Sequence, residues 1–238
     1  MPPIICGRFQ THTVALLAAY GTLTKPQITR ALGRTTPHDA RIFAPLVQRQ
    51  IVTTARARTW PSNKITFILS LNSAHPSYNE TVSLGRALAS RLIVAEQPTP
   101  LAAPVHFDHS WKHVENARDQ FFGDVTKSSC IIIIAGCEAV SMSAVVNVTP
   151  TVHAEDFSRT VRRYVASGVL RRTSFGRRQV LTIDPRWFAA DALIRLARSL
   201  SERAYPEYRG RIAAAIHIDE ESGLRDADGN WRRLLARA

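Results

Sequence analysis

The sequence predicts a mainly α-helical α+β fold, in which two similar helical modules each end in a small β-hairpin. Three observations lead to this prediction. Apolar residues recur at helical spacing in most segments, and short strand-like segments flank polar, basic turns. The same order of elements also returns about 118 residues further along the chain. With 238 residues, 45% of them hydrophobic, the chain is long enough to form two small cores.

The first module is predicted to contain three helices. An apolar helix over residues 13–20 ends at Gly21. Thr24 is the expected N-cap of a second helix, which stops at Gly33. A tight turn then leads into a third helix over residues 37–50, whose apolar positions recur at helical spacing.

Pro45 lies inside this predicted third helix, where a proline removes one backbone hydrogen bond and is expected to kink the helix. The exposed part before Pro45 is therefore the predicted contact surface. Two strands over residues 51–54 and 64–69 follow, and they flank a polar, basic hairpin tip over residues 55–63.

The second module repeats this order. At an offset of 118 residues, Arg41 falls on Arg159 and Val52 falls on Leu170. Either Ser141 or Ser143 is expected to cap the second helix of this module. The predicted elements are a first helix over 131–140, a second helix through 148, a third helix over 152–167, a strand over 169–172, a hairpin tip over 173–176 and a return strand over 177–183.

The net charge of +12, with a pI of about 10.6, is concentrated in these two modules. Residues 8–70 carry +8 with Asp39 as their only acid, and residues 126–184 carry +4. Residues 71–125 and 185–238 carry −2 and +2. Such an excess favours a polyanionic partner, with nucleic acid as the first candidate and an anionic membrane surface as the second. Membrane attachment is not expected, because no basic amphipathic helix carries the excess.

The order helix, helix, turn, helix and β-hairpin resembles the winged helix-turn-helix domain, over residues 10–72 and 128–185. The resemblance rests on element order and patterning. It implies that the third helix enters the major groove of DNA and that the hairpin, called the wing, lies along the backbone or the minor groove.

The resemblance assigns double-stranded DNA contacts to the third helices and the wings. Arginine can read a guanine edge with two hydrogen bonds, whereas clustered wing charges are suited to the phosphate backbone. Any one of these arginines could be merely solvated, but the wings as groups favour contact. The candidate residues are Thr35, Thr36, His38, Arg41 and Arg49 on the first recognition helix and the turn that leads into it, Arg56, Arg58 and Lys64 on its wing, His153, Arg159, Arg162 and Arg163 on the second recognition helix, and Arg171, Arg172, Arg177 and Arg178 on its wing.

The second module is expected to bind DNA more weakly than the first. Its third helix opens with Glu155 and Asp156, which suit the positive end of the helix dipole but repel phosphates. Together with the unequal charges of the two modules, these acids predict that the N-terminal module dominates DNA binding.

The predicted domains are an N-terminal winged helix over 8–72, a helical, proline-containing linker over 73–125, a C-terminal winged helix over 126–185 and a helical extension over 186–238. The linker is expected to hold a helix over 79–97. His109 and His113 stand four residues apart there, but their surroundings match no known metal-ligand pattern, and no metal or cofactor is predicted. By family analogy, the C-terminal helices could support a homodimer.

Several classes of protein are not expected. The N-terminus lacks the pattern of a secretory signal, no apolar run approaches the length of a membrane span, and the three cysteines form no framework, so a reducing cytoplasm is the expected location. No nucleotide-binding or nucleophile motif is present, and no enzymatic activity is predicted. The expected function is sequence-specific DNA binding by a transcriptional regulator that occupies an operator. A plasmid or phage replication initiator with tandem winged helices is the first alternative, and a protein-interaction scaffold is the second.

Overall fold

The structure is a computed structural model, and it describes residues 3–34, 43–59, 64–99, 101, 105–112, 120–175 and 177–225. The chain divides into two compact units, an N-terminal unit over Pro3–Gly123 and a C-terminal unit over Asp124–Ala238. Each unit combines α-helices with one small three-stranded antiparallel sheet. The predicted mainly helical α+β class with β-hairpins is therefore confirmed.

In the N-terminal unit the strands lie in the order β1-β3-β2. The long hairpin pairs Val52 with Leu71 at its base and Thr59 with Lys64 at its far end. The elements are α1 (Arg8–Tyr20), β1 (Leu23–Thr24), α2 (Lys25–Ala31), α3 (Ala44–Gln48), β2 (Val52–Thr59), β3 (Lys64–Leu71) and α4 (Tyr78–Ala89).

In the C-terminal unit the strands lie in the matching order β4-β6-β5. A π-helical segment, Leu200–Ala204, follows the eighth α-helix. The elements are α5 (Val125–Cys137), β4 (Ala139–Ser141), α6 (Met142–Asn147), α7 (Ala154–Ala166), β5 (Leu170–Phe175), β6 (Arg178–Ile183), α8 (Ala190–Ser199) and α9 (Glu207–Glu221).

The second helix of each unit begins at a side-chain cap. Thr24 accepts a hydrogen bond from the amide of Gln27, and the Gln27 side chain accepts one from the Thr24 amide at 2.8 Å, which completes a capping box. In the C-terminal unit the hydroxyl of Ser141 accepts from the amide of Ala144 at 3.1 Å. The predicted cap at Thr24 is confirmed, and Ser141 rather than Ser143 caps α6.

The turn that leaves the sheet is repeated in the two units down to individual hydrogen bonds. The side chains of Asn72 and Asp184 each accept from the backbone amide two residues further along, at 3.1 and 3.0 Å. Their carbonyls each accept from the amide three residues further along, which belongs to His75 in one unit and Trp187 in the other. Both aromatic rings are buried. The internal repeat therefore extends beyond the hairpins.

Each core is centred on the first helix of its unit, whose C-terminal half is apolar. Helix α1 packs against α4, in which Leu84 and Leu88 are fully buried. Helix α5 carries the run Ile131, Ile132, Ile133 and Ile134, and it packs against α7, α8 and α9. The helices that follow each hairpin are thus part of the core of their own unit.

Several predicted boundaries are wrong. The helix predicted over 13–20 already begins at Arg8, and the one predicted from residue 131 already begins at Val125. The helix predicted over 131–140 ends at Cys137, because Glu138 adopts a left-handed backbone with φ 64° and Ala139 then pairs with Thr182 in the sheet. The helix predicted over 79–97 ends at Ala89, and the amide of Ala95 instead donates to the carbonyl of Ala31.

A further error concerns the hairpins. The tips predicted over 55–63 and 173–176 are too long, since β2 continues through Thr59 and β5 through Phe175. Arg56 and Arg58 of the first predicted tip and Ser174 of the second lie on paired strands, where exposed positions accept charged or polar side chains. Within the part of the chain described, no helix is both long and apolar enough to cross a bilayer.

Candidate nucleic-acid interface

Helix α7 of the C-terminal unit presents an arginine-rich face to solvent. Phe157, Val161 and Tyr164 recur at helical spacing and are buried. Arg159, Arg162 and Arg163 point away from them and are exposed. His153, the N-cap residue, is also exposed. The structure therefore places all four predicted residues of this helix at the surface.

The arginines of α7 make weak local contacts. A guanidinium nitrogen of Arg159 lies 3.1 Å from a carboxylate oxygen of Asp156, but both side chains are more than half exposed. The Nε of Arg162 donates to the carbonyl of Ser158 at 3.4 Å. Exposed ion pairs of this kind contribute little to stability, so an incoming phosphate can compete for Arg159 at small cost.

The wing formed by β5 and β6 adds more positive charge. Arg171, Arg172 and Arg177 are exposed, and Arg178 donates to the carbonyl of Ser222, just after α9. Because the arginine pair on β5 points to opposite faces of the strand, the two side chains cannot lie against the same surface. The C-terminal helix thus braces the far end of this wing through Arg178.

An ion pair near the base of the same wing affects one carboxyl group. Hydrogen bonds from Arg186 hold the pKa of Asp184 below its ordinary value, and the charge of Arg171 adds to the effect. The carboxylate accepts from the Arg186 guanidinium at 3.0 and 3.1 Å. Since the carboxylate also shapes the turn after β6, Arg186 supports the fold directly, and Arg171 of the wing adds a smaller electrostatic contribution.

In the N-terminal unit, the predicted residues Thr35, Thr36, His38 and Arg41 lie outside the described residues. The described part of the third helix, α3, begins at Ala44, so Pro45 occupies its first turn. A proline is compatible with that position because the first amides of a helix have no partner within it. Because residues 35–42 lie outside the described part, the kink predicted at Pro45 within a longer helix stays a prediction.

Arg49 holds segments of the N-terminal unit together. Its guanidinium donates to the carbonyls of Pro45 and Gln120 at 3.0 Å each and to that of Gly123 at 2.7 Å. Three backbone acceptors satisfy most of the guanidinium donors. The structure therefore gives this predicted DNA contact a role in tying the end of the unit to α3.

Arg56 is exposed on β2, and its guanidinium carbon lies 5.4 Å from the centre of the Phe67 ring. Arg58 and Lys64 lie on the paired strands β2 and β3, opposite Ile65 and Thr59, and their side chains are outside the described part of the structure. Of the predicted residues on this wing, Arg56 is the one whose surroundings the structure describes.

Sequence analysis missed an apolar patch beside Arg56. Phe67 and Ile65 are exposed on β3, and the Nζ of Lys25 lies 4.3 Å from the centre of the Phe67 ring. The alternation of apolar residues along 65–71 shows that they share one face of the strand with Leu69 and Leu71, but it does not show that they are exposed.

An open groove of about 430 Å³ adjoins this patch, between α2 and β3. The polar side chains on its wall are engaged, since Gln27 donates to the carbonyl of Thr99 at 2.6 Å and Arg30 lies 3.3 Å from Glu96. Ile65 and Leu101 contribute apolar surface.

The histidines of the linker have a structural role in the described residues. Nδ1 of His109 accepts from the amide of Ser73 at 3.3 Å and lies 3.4 Å from Oδ1 of Asn72. His113 lies outside the described residues. Among the residues described, no three His, Cys, Asp or Glu side chains come together in a way that could hold a metal.

Comparison of the chain with protein-family models, with curated proteins and with solved structures gives no match. Any functional assignment therefore depends on the residues and surfaces described above.

Proposed function

We propose that this chain is a sequence-specific double-stranded DNA-binding protein, built from two winged helix-turn-helix modules, and that it regulates transcription by occupying an operator. The observation that carries the proposal is the exposed arginine face of α7 beside a wing with exposed arginines in the same unit. A helix of this kind fits the major groove, and wing cations neutralise phosphates.

Charge supports the same proposal for the N-terminal module. Residues 8–70 carry a net charge of +8, and the module repeats the element order and the turn geometry of the C-terminal unit. We propose that this module supplies most of the affinity and that both modules contact one duplex. The same proposal includes a cytoplasmic location for the protein and the binding of two copies to an inverted repeat.

Salt dependence tests the proposal. Binding of a fluorescently labelled duplex pool is measured by polarisation at increasing salt. Neutralisation of four to nine phosphates predicts a log-log slope of roughly −4 to −8. Failure to bind any duplex at low salt overturns the proposal and favours a protein-interaction scaffold.

Matched variants locate the interface. Replacing both Arg162 and Arg163 by alanine is expected to make the slope shallower by about 1 to 2, because up to two phosphate contacts are lost. Arg195→Ala removes an exposed arginine from α8 and is expected to leave the slope unchanged. Equal slopes for both variants would exclude α7 from the interface.

Footprinting on DNA that neighbours the coding region separates the two DNA-binding roles. Protection of an inverted repeat over a promoter supports an operator-binding regulator. Protection of an array of direct repeats supports a replication initiator instead, and it would overturn the regulatory part of the proposal.

A further inference from the structure

One row of apolar side chains on β3 continues beyond the core into the wing. Leu71, Leu69, Phe67 and Ile65 are alternate residues, so they lie on one face of the strand. Leu71 and Leu69 are 5% and 0% exposed, whereas Phe67 and Ile65, nearer the hairpin end, are 38% and 64% exposed. The first two fill the core, whereas the last two are apolar surface that the core does not cover.

The C-terminal unit shows that the fold does not require this surface. Thr24 pairs with Ile68 and Ser141 pairs with Val180, which aligns β3 with β6. The equivalent positions are Ile183, Leu181 and Gln179 on β6 and Arg177 in the turn just before it, of which the first two are buried. The last two are polar, and Arg177 is exposed. Each wing therefore contributes two apolar residues to the core of its own unit, and the two wings differ in the chemistry of their outer ends.

Cations surround the exposed row of the N-terminal wing. The Nζ of Lys25 lies 4.3 Å from the centre of the Phe67 ring and 5.6 Å from that of Phe43, next to α3. Arg56 approaches the Phe67 ring from the opposite strand. The row thus lies on the side of the sheet that carries α2 and α3. Positive charge around an apolar centre complements a polyanion, whereas a second copy of this chain would bring like charges together.

The same contacts distinguish Phe67 from Ile65. A cation already lies over the Phe67 ring, so a nucleic-acid base could stack there only by displacing it. Ile65 is further along the wing and much more exposed. An apolar side chain at the end of a basic hairpin has the chemistry of the wedges that enter the minor groove and unstack a base step.

We propose that Ile65 is a wedge that inserts between base pairs from the minor groove and kinks the duplex, while the C-terminal wing only neutralises phosphates. This inference rests on the proposed function, namely binding of double-stranded DNA. Pyrimidine–purine steps unstack most easily, so the wedge adds a preference for TA or CA steps that no hydrogen bond to a base supplies. Lys25 and Arg56 balance the phosphates that the kink brings together.

Energy transfer between dyes on the two ends of a duplex measures the kink. The full chain is added to a duplex of about 30 base pairs with a central TA step, and separately to one with a stiff A-tract. The wild-type protein is expected to increase transfer on the TA duplex and to have little effect on the A-tract duplex. Ile65→Ala is expected to abolish the increase and to weaken binding to the TA duplex roughly tenfold, since the buried apolar area is lost.

Two further variants act as controls. Ile65→Arg gives the N-terminal wing the polar end of the C-terminal wing, and it is expected to retain affinity without the kink. Gln179→Ala changes the equivalent C-terminal row and is expected to leave the kink intact. Urea unfolding of Ile65→Ala is expected to match the wild type, because the side chain is mostly exposed.

Three other outcomes would each overturn a defined part of the two proposals. Absence of binding to any duplex overturns the proposed function, and the wedge with it. Tight duplex binding without increased energy transfer, or with the same increase for Ile65→Ala, overturns the wedge alone. Tighter binding to an unpaired strand of the same sequence also overturns it and assigns the row to single-stranded DNA.

Discussion

Lowering the pH from about 7.5 to about 5 is expected to destabilise the N-terminal unit by about 2 kcal/mol through one buried histidine, His75. Its ring is 4% exposed and packs edge-on against Trp111 and Phe121, at centroid distances of 6.1 and 5.6 Å. Nδ1 accepts from the amide of Ser77 at 3.1 Å, so this nitrogen carries no proton. Burial lowers the pKa of His75 from 6.5 to about 4.

The sign and the size follow from the two pKa values. The folded chain keeps His75 neutral, whereas the unfolded chain takes up a proton below pH 6.5, so stability falls as the pH falls. The loss is about 2 kcal/mol at pH 5 and about 3 kcal/mol at pH 4, and it levels off below the folded pKa.

Urea unfolding followed by circular dichroism at each pH measures this loss. His75→Phe places a neutral aromatic ring where the C-terminal unit has the buried Trp187, and it is expected to remove the His75 part of the pH dependence. His217→Phe, at an exposed position on α9, is the control and is expected to keep the wild-type dependence. If His75→Phe kept the wild-type dependence of stability on pH, the loss of stability could not be assigned to His75. A titration of His75 near pH 6.5 by nuclear magnetic resonance would refute the assignment as well.

Three further predictions concern packing, capping and DNA contacts. Gly85→Ala is expected to lower the free energy of unfolding, measured in urea, by about 1–3 kcal/mol, because a Cβ there would lie 2.5 Å from the Cβ of Ala18. An unchanged urea midpoint would show that α1 and α4 can move apart to accommodate the methyl group at no cost in stability. Thr24→Ala is expected to cost about 1 kcal/mol by the same measurement, since the amide at the third position of α2 loses its acceptor; a stabilised variant would contradict the capping box. Arg41→Ala is expected to relax sequence preference in a binding-site selection, whereas Arg58→Ala is expected to weaken all duplexes alike; indistinguishable profiles would contradict the assigned roles.

Local signals in the sequence predicted the capped start of the second helix in each unit well. Thr24 followed by Lys-Pro-Gln gives a cap, a proline-compatible first turn and a reciprocal glutamine, and each acts over three residues. The repeated order of elements likewise predicted a hairpin in each unit and the third helix of the C-terminal unit, α7. Such features depend on neighbours along the chain, which is why a sequence shows them.

Features that depend on distant partners were not predictable. Strands β1 and β4 have two and three residues, too few for a periodic pattern, and they form because β3 and β6 supply an edge. In the sequence Arg49 cannot be distinguished from an ordinary surface arginine, whereas in the structure it donates hydrogen bonds to the carbonyls of Gln120 and Gly123, more than seventy residues further along the chain. For the wing, the sequence showed the charges but not that Phe67 and Ile65 leave the core and become exposed.

The packing of α5 determines where the C-terminal unit can be cut. The isoleucine run of α5 is buried partly by α8 and α9, and Asp219 on α9 accepts from the amide of Ser141 at 2.8 Å. Arg225 then donates to the carbonyls of Cys137 and Ala139. A fragment that ends after the hairpin would expose the isoleucine run of α5 to solvent and is expected to aggregate. A fragment of the C-terminal unit that keeps these contacts, whether it is made in the laboratory or exchanged by recombination, must therefore extend to Arg225.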